Sequence, residues 1–277
     1  MKKLTDYGFN TDNRVYIIAE IGINHGGDLD VAKQLILSAA RTGADAVKFQ
    51  TYITEKRVAK DSPIFDILKT CELSFDACAE LKDYAKEHQI DWFSTPFDDE
   101  SVDFLQSIDT ALYKIASFDV VNHKILLKIA QTRKPLIMSV GMSSAEEIDA
   151  AYRILKKVTG NIALLHCISA YPTDEKDANL AALKALQQRY DCVIGQSDHT
   201  DDILVPLYAV AGGAQILEKH YKLDDNMDCI DAPVSISEEK MAKLVVETRR
   251  LETILGQGDL GVRTAEEGTV QYRRYSS

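Results

Sequence analysis

The sequence predicts an α/β fold, a (β/α)8 TIM barrel in which eight parallel strands are enclosed by helices. Short apolar runs recur about every thirty residues, polar residues follow them, and helical patterns lie between them. In such a barrel all strands point their carboxyl ends at one face, where side chains from different strands meet. The predicted strands cover residues 15–19, 44–47, 91–93, 111–113, 135–138, 162–165, 192–195 and 215–217.

The segments between these strands favour helices. Residues 29–42 carry apolar side chains at helical spacing and end before Gly43, a residue typical of helix C-termini. Ser144 is a suitable N-cap, because acidic residues follow it in the first turn. Strand alternating with helix indicates a parallel sheet buried beneath a helical layer. Further helices are predicted over 98–107, 122–132, 177–190, 202–212 and 237–255.

Length and composition indicate one large domain. A typical barrel needs about 250 residues, so we expect a barrel domain over 1–257 and a C-terminal tail over 258–277. The net charge of -11 argues against a surface for nucleic acids or anionic membranes. The sequence shows no signal peptide, no bilayer-spanning run and no Cys-x-x-Cys pair, so we expect a reduced, cytoplasmic protein.

Two lysines, Lys48 and Lys114, follow the second and fourth runs and are expected to project over the barrel mouth. An ammonium group in such a position needs a negative partner. Hydroxyls on later strands add donors suited to phosphate or carboxylate oxygens, and they belong to Ser139, Ser169 and Ser197. These residues predict an anion-binding pocket. The alternative is that the lysines pair with Glu20, Glu218 or Asp119 and only stabilise the barrel.

His199 and His220 end the two adjacent runs seven and eight. Neighbouring strands lie about 4.8 Å apart, so both imidazoles can reach one divalent ion, to which Asp231 or Glu20 could add an oxygen. Nitrogen and oxygen ligands together suit manganese or another transition metal. The alternative is that each histidine is a hydrogen-bonded core residue.

The segment 20–28 concentrates glycines and polar side chains, among them Glu20, Asn24 and His25. Glycines let a backbone turn sharply and approach a ligand. The segment lacks the Gly-Lys-Ser/Thr ending of a phosphate-binding P-loop. It is therefore interpreted as a ligand-facing first loop, with an ordinary polar loop as the alternative.

Ordered motifs along most of the chain resemble the sialic acid synthases. This family includes the N-acetylneuraminate, legionaminate and pseudaminate synthases and the spore-coat polysaccharide homologues. The motifs are AEIGINH at 19–25, VKFQT at 47–51, STPFD at 94–98, YKIAS at 113–117, SVGM at 139–142, LHC at 165–167, YPT at 171–173, SDHT at 197–200 and EKHYKLD at 218–224.

The resemblance implies a metal-dependent condensation of phosphoenolpyruvate with an N-acetylmannosamine-like amino-sugar aldehyde. The products would be a nine-carbon sialic-acid-type 2-keto sugar acid and phosphate. The implied cofactor is Mn²⁺, with Mg²⁺ or Co²⁺ as alternatives, and the implied assembly is a homodimer that binds neither nucleic acid nor membrane.

The resemblance also implies roles for individual residues. Phosphoenolpyruvate is assigned to Lys48, Lys114, Ser117, Ser139, Ser169 and Ser197, the metal to His199 and His220, and the sugar to Thr95, Asp119 and Tyr171, with Gln50 as a further substrate-binding residue. Glu20 and Asp231 are the acids that could guide water. Ser169 stands where the neuraminate synthases have asparagine, and Asp119 where they have glutamate.

Two departures from the family pattern bear on activity. Ala232 follows Asp231 where the family has a histidine, and His25 is the candidate substitute. The chain is also expected to lack the C-terminal antifreeze-like domain, which in a swapped dimer brings an arginine to the partner's sugar. Its candidate replacements are a separate subunit or Arg263, Arg273 and Arg274, whose alternative is solvated tail charge.

Two other functions compete with the synthase. A Schiff-base aldolase would use Lys48 or Lys114 as the nucleophile, since buried strand-end lysines can do this chemistry. A catalytically silent barrel would bind a sugar or a phosphorylated metabolite and act as the partner of an active subunit.

Overall fold

Eight parallel strands close into a barrel in chain order, with β8 hydrogen-bonded to β1. The computed structural model describes residues 14–256 and 258–275. The predicted (β/α)8 barrel is confirmed. The strands are β1 (Tyr16–Gly22), β2 (Ala46–Thr51), β3 (Asp91–Pro96), β4 (Tyr113–Ile115), β5 (Leu136–Ser139), β6 (Ile162–Cys167), β7 (Val193–Asp198) and β8 (Ile216–His220).

Each strand begins at or within two residues of the predicted start, but most continue further into the polar residues that follow the apolar run. The third begins at Asp91, as predicted, and continues to Pro96. Polar side chains at the strand ends are buried inside the barrel, Lys48 and Thr95 among them. A polar residue therefore marks the approach to the barrel mouth and not the end of the strand.

Helices form the outer layer, and those predicted from the sequence are present. Asp28, Asp98 and Ser144 each accept a backbone hydrogen bond as N-caps, and Ser144 forms a full capping box with Glu147. The helices are α1 (Leu29–Thr42), α2 (Thr54–Arg57), α3 (Phe65–Cys71), α4 (Phe75–Glu87), α5 (Asp99–Ser107), α6 (His123–Gln131), α7 (Ala145–Lys156), α8 (Ala181–Arg189), α9 (Leu204–Ala211) and α10 (Glu238–Leu255).

The connection between β2 and β3 differs from the expectation, because it contains three helices that the sequence reading did not assign. α2, α3 and α4 occupy most of residues 54–87. α4 packs in the outer ring, beside α1 and β3. The C-terminus of α3 lies against the first loop, where a Cβ added to Gly27 would come within 2.1 Å of the Thr70 carbonyl oxygen.

Successive residues of a strand face opposite sides of the sheet, and this alternation separates two cores. Inside the barrel, an apolar layer fills the half nearest the strand N-termini, and its members are Tyr16, Ile18, Ala46, Phe93, Leu112, Ile137, Ala163, Leu165 and Ile216. The intervening strand residues pack outward against the helices. Two positions further along, the inward residues become polar, which places charged groups directly above a closed apolar floor.

The C-terminal tail, over 258–275, contains two short 3-10 turns, Thr264–Glu266 and Val270–Tyr272, and its side chains are mostly exposed. The predicted domain boundary falls at residue 257, which lies outside the described residues. No helix within 14–256 or 258–275 has both the length and the apolar content to span a bilayer.

Gly195 on β7 is required by close packing inside the barrel. A Cβ at this position would lie 2.4 Å from the Ile216 carbonyl oxygen and 2.7 Å from Leu165 Cδ2. We predict that Gly195→Ala lowers the free energy of unfolding by about 1–3 kcal/mol, the usual penalty for overpacking. Urea denaturation measures this change.

The matched control is Gly160→Ala, because a Cβ there meets nothing within 4 Å. Its free energy of unfolding should stay within about 0.5 kcal/mol of the parent protein. Equal stability of the two variants would show that the tight contact at Gly195 does not limit the barrel.

Candidate active site

A pocket of about 250 Å³ opens at the carboxyl ends of the strands. It brings together most of the residues predicted from the sequence, drawn from all eight strands or the loops that follow them. These are Glu20, Lys48, Gln50, Thr95, Lys114, Ser117, Ser139, Tyr171, Ser197, His199, His220 and Asp231. The expectation that these side chains meet at one face is met by the geometry.

Four buried charged residues form the floor of this pocket. Lys48 Nζ lies 2.8 Å from Glu20 Oε1 and 3.8 Å from Glu218 Oε2, and Lys114 Nζ lies 3.4 Å from Glu218 Oε1. Glu218 also accepts a hydrogen bond of 2.8 Å from Ser197 Oγ. The alternative pairing of the lysines with Glu20 and Glu218 is therefore realised, but it takes place within the pocket and not instead of it.

The two carboxylates of this network differ in their electrostatics. Burial raises the pKa of Glu20, and the nearby Glu218 adds to the effect against the attraction of Lys48. Burial also opposes the charge of Glu218, yet Lys114 and Lys48 outweigh it and lower its pKa. One oxygen of each acid, Glu20 Oε2 and Glu218 Oε2, is buried without a hydrogen-bond partner. The pocket thus holds two acceptor atoms that a ligand or water could satisfy.

The two lysines also differ. Burial opposes the charge of Lys48, but Glu20 and Glu218 together raise its pKa. For Lys114 burial prevails and lowers the pKa. Lys48 additionally donates to Thr95 Oγ1 at 3.2 Å, and Lys114 donates to Ser139 Oγ at 2.7 Å. Both ammonium groups are therefore held in fixed positions with a hydroxyl beside each.

Hydroxyls collect next to Lys114 around a close backbone approach. Ser117 Oγ accepts a hydrogen bond of 2.9 Å from the Gly141 amide. A Cβ on Gly141 would lie 2.5 Å from Ser169 Oγ and 3.1 Å from Ser117 Oγ. Ser169 belongs to this cluster but does not line the pocket, so the predicted direct contact of Ser169 with phosphoenolpyruvate is not supported.

The imidazoles of His199 and His220 face each other with ring centroids 5.2 Å apart. His199 Nδ1 lies 2.7 Å from the Ile168 carbonyl oxygen, which only accepts, so this nitrogen carries the proton and Nε2 keeps a lone pair. His220 Nδ1 is buried and lies 3.3 Å from Asp231 Oδ2. The two imidazoles and this carboxylate are of the types that bind divalent metals.

No cluster of three or more His, Cys, Asp or Glu side chains with metal-binding geometry occurs in the described part of the chain. The protein itself therefore offers two nitrogen ligands, with Asp231 beside one of them. Such a sparse set would leave most coordination positions to substrate and water, as in catalytic metal sites.

Two further predicted residues lie outside the pocket lining. His25 stacks on Phe49 with ring centroids 5.8 Å apart, and its Nδ1 accepts a hydrogen bond of 3.0 Å from the Gly27 amide. Asp119 lies in the 3-10 turn Ser117–Asp119 and accepts from Asn122 at 3.0 Å. His25 is thus not placed to replace the histidine that the family has at position 232, because its ring is used to close the first loop.

The tail arginines are also away from the site. None of Arg263, Arg273 and Arg274 lines the pocket. Arg263 pairs with Asp259 at 2.8 Å, and Arg273 lies over the ring of Tyr275. In the described tail these side chains interact locally, in agreement with the alternative of solvated tail charge.

Sequence reasoning missed several lining residues and named Glu218, the most important of them, only as an alternative partner of the lysines. Alternation in the EKH motif could have identified it, because Glu218 and His220 face inward while Lys219 faces outward. Lys219 is fully buried against Asp198, 2.7 Å away. The others are Ile23, Arg57, Phe97, Ala116, Phe118 and Cys167, for which the sequence carried no comparable signal.

Comparison with known families identifies relatives of the whole barrel. The model of the NeuB family matches residues 35–260. The N,N'-diacetyllegionaminic acid synthase of Legionella pneumophila is 39% identical over 263 residues, which cover 88% of this chain and 74% of that protein. The mouse N-acetylneuraminate-9-phosphate synthase is 36% identical over 255 residues, covering 87% and 71% respectively.

Among solved structures, the N-acetylneuraminic acid (sialic acid) synthetase of Leptospira borgpetersenii superposes with a TM-score of 0.92. It is 41% identical in sequence, and the match covers 95% of this chain and 92% of that one. The family resemblance inferred from the motifs is therefore confirmed.

The position of His25 predicts a pH-dependent contribution to stability. Burial lowers the pKa of His25 to about 4, below its ordinary value of 6.5, so folding favours the neutral ring. This stabilisation is present above pH 6.5 and is lost as the pH falls towards 4. Between pH 7 and pH 4 the wild type should lose about 3 kcal/mol more unfolding free energy than His25→Gln.

Urea denaturation at a series of pH values measures this difference. The control is His123→Gln, since His123 is exposed at the start of α6, and its profile should overlay that of the wild type. A His25→Gln profile parallel to the wild type would mean that the ring binds its proton equally well in the folded and the unfolded protein.

Proposed function

This chain belongs to the NeuB family, and we propose that it condenses phosphoenolpyruvate with an amino-sugar aldehyde to form a nine-carbon 2-keto sugar acid and phosphate. The observation that carries the proposal is the convergence of Lys48 and Lys114 in one pocket with hydroxyls and two imidazoles. The names of the relatives, which are synthases of sialic-acid-type sugars, support the same reaction.

The lysine end of the pocket suits phosphoenolpyruvate. This substrate is a trianion, and two fixed ammonium groups can neutralise its phosphate and carboxylate oxygens. Ser117, Ser139 and Ser197 lie beside them as hydroxyl donors. Glu20 and Glu218 hold the lysines in place before the substrate arrives, so binding requires little reorganisation of the protein. Fixed orientation of the enol face then lowers the entropic barrier to attack.

The imidazole end of the pocket suits the aldehyde. His199 and His220 would hold a divalent metal, for which Mn²⁺ is our first choice and Mg²⁺ or Co²⁺ the alternatives, and which when bound would polarise the aldehyde oxygen as a Lewis acid. Tyr171 packs against both imidazoles, with ring centroids 4.1 Å from His199 and 5.9 Å from His220. Thr95 and Gln50 line the pocket as polar groups that can bind sugar hydroxyls.

The chemistry follows from these positions. The C3 carbon of phosphoenolpyruvate attacks the aldehyde carbon, and positive character develops at C2. Water adds at C2, and a carboxylate takes up one of its protons and passes it to the former aldehyde oxygen, which becomes a hydroxyl. The C2–O bond to phosphate then breaks as the new C2 hydroxyl gives its proton to the departing phosphate, which leaves a ketone at C2. Glu20 is our candidate for this carboxylate, because its Oε2 atom lacks a partner and burial raises its pKa, which makes the carboxylate a stronger base.

A Schiff-base aldolase is the second candidate, and one observation favours it. Burial lowers the pKa of Lys114, which makes the neutral, nucleophilic amine more accessible. Borohydride reduction in the presence of substrate distinguishes the two reactions, because only the aldolase would gain a stable mass adduct on lysine. Activity that persists in the presence of a chelator would also favour the aldolase.

The proposed function is tested by phosphate release. Purified protein is incubated with Mn²⁺, phosphoenolpyruvate and a panel of N-acetylated amino sugars, and both free phosphate and the 2-keto acid are measured. We expect release to require an acceptor sugar and to stop after chelation. If no sugar of the panel leads to phosphate release, the result would favour the silent barrel.

Lys114→Met tests the anion pocket directly. Removal of one ammonium group leaves the negative charge of Glu218 with one cation fewer beside it. It also deprives phosphoenolpyruvate of a charge-assisted hydrogen bond, which contributes about 1.5–3 kcal/mol to binding. We therefore predict binding of phosphoenolpyruvate at least about 10-fold weaker by calorimetry. The control Lys124→Met removes an exposed ammonium on α6 and should bind as the wild type does. Unchanged affinity in Lys114→Met would move the anion site elsewhere.

A further inference from the structure

Arg57, at the end of α2, lines the pocket, and the proposed mechanism does not use its charge. Its guanidinium lies 3.7 Å from the ring centroid of Phe97 and 4.6 Å from that of Tyr52. Its Nη1 atom donates a hydrogen bond of 2.9 Å to Gln50 Oε1. Two aromatic rings and an amide therefore fix the orientation of a planar cation at the pocket wall.

Arg57 forms no direct ion pair within the described residues, although Asp119 and Asp231 attract its charge from a longer distance. Among residues 14–256 and 258–275, no carboxylate oxygen lies within 4.0 Å of its guanidinium. Burial lowers the pKa of Arg57 from its usual value, but a guanidinium remains protonated at neutral pH. A partly desolvated cation without an anion is unfavourable unless a ligand supplies one.

Arg57 lies nearer the barrel mouth than Lys48 and Lys114, the residues proposed to bind phosphoenolpyruvate. Gln50 follows Lys48 by two residues on β2, so both face the barrel interior and Gln50 lies about 6.6 Å nearer the mouth. Arg57 is bound to Gln50 and stands above the level of the lysines. A trianion held by Lys48 and Lys114 leaves this guanidinium to the second substrate.

We propose that Arg57 determines acceptor specificity by binding an anionic group on the amino-sugar aldehyde. This inference rests on the proposed function and identifies the class of its second substrate. A neutral sugar could accept hydrogen bonds from Arg57 but would leave it without an anion in direct contact. The proposed function assigns Lys48 and Lys114 to phosphoenolpyruvate, so an anion on the acceptor needs a cation of its own, and Arg57 supplies it with a planar fork suited to two oxygens.

Three acceptors that differ at one end test the proposal. They are N-acetylmannosamine, its 6-phosphate and the corresponding uronic acid, so that phosphate and carboxylate are distinguished. At saturating phosphoenolpyruvate, kcat/KM should be higher for one of the charged acceptors. In Arg57→Leu the ratio of kcat/KM between that acceptor and N-acetylmannosamine should fall about 10- to 100-fold, as expected for loss of charge-assisted hydrogen bonds.

Two further variants complete the design. Arg57→Lys keeps the charge but not the planar fork, so its ratio should lie between those of the wild type and Arg57→Leu, and it carries the test if Arg57→Leu does not fold. Arg250→Leu removes an arginine that is exposed on α10, and it should keep the wild-type ratio.

The outcomes separate this inference from the proposed function. Preference for the neutral acceptor, an equal loss with all acceptors, or a matching rise in the KM of phosphoenolpyruvate would overturn the role of Arg57 while the synthase stands. Absence of phosphate release with every acceptor would instead refute the synthase. Calorimetric binding of the charged acceptor, weakened in Arg57→Leu, would in that case still test the anion site.

Discussion

The buried network of Lys48, Glu20, Glu218 and Lys114 is the constraint on which the rest of the site depends. Two ammonium groups above an apolar floor are tolerated only because two carboxylates lie beside them. Replacing such a network by apolar residues of similar volume is often neutral or favourable for stability. Its presence, with one oxygen of each acid lacking a partner, indicates that the groups are kept for a ligand.

The network of lysines and glutamates forms because β8 pairs with β1 and closes the barrel. Glu20 on β1 lies in register with Lys48 on one side and with His220 on the other. Glu218 on β8 is in register with Ser197 on β7. The charges therefore meet only when β8 pairs with β1, and the same hydrogen bonds that close the sheet set the distances between the acids, the bases and the imidazoles. Fold and site are parts of one arrangement.

The alternation of strand side chains explains how much of the site could be predicted from the sequence. Apolar runs followed by polar residues located the barrel mouth, because the inward layer changes from apolar to polar at the same height on most strands. The two-residue alternation of side chains along a strand also predicts which of two neighbouring polar residues faces the pocket. Ser197 and Glu218 face the pocket, whereas Asp198 and Lys219 pair on the outer face.

The parts that could not be predicted depend on contacts between distant segments. α2 and α3 are short, so they offer too few apolar repeats for a helical pattern to be recognised. Arg57 enters the pocket because Phe97, which follows β3, provides the surface on which its guanidinium lies. His25 has suitable chemistry for catalysis, but its ring packs on Phe49. Residue type alone therefore did not decide whether Arg57 or His25 lies in the pocket, because their positions depend on tertiary packing.

The first loop and the loop after β8 are tied together by Asn24, and this bears on the alanine at position 232. Asn24 Nδ2 donates to the Tyr221 carbonyl oxygen and to Ser235 Oγ, and Asn24 Oδ1 accepts from the Asp231 amide at 2.9 Å. The position of Asp231 is therefore set by Asn24 and not by its neighbour's side chain.

Gly22 shows how tightly the acids are gathered beneath this link. A Cβ on Gly22 would lie 3.1 Å from Glu20 Oε1 and 3.4 Å from both Asp231 Oδ2 and Gln50 Nε2. Because Asp231 is anchored through its backbone amide and Asn24, a methyl group at Ala232, where the family resemblance implies an imidazole, does not displace the acid. The positions of the carboxylates are thus set independently of the side chain at position 232.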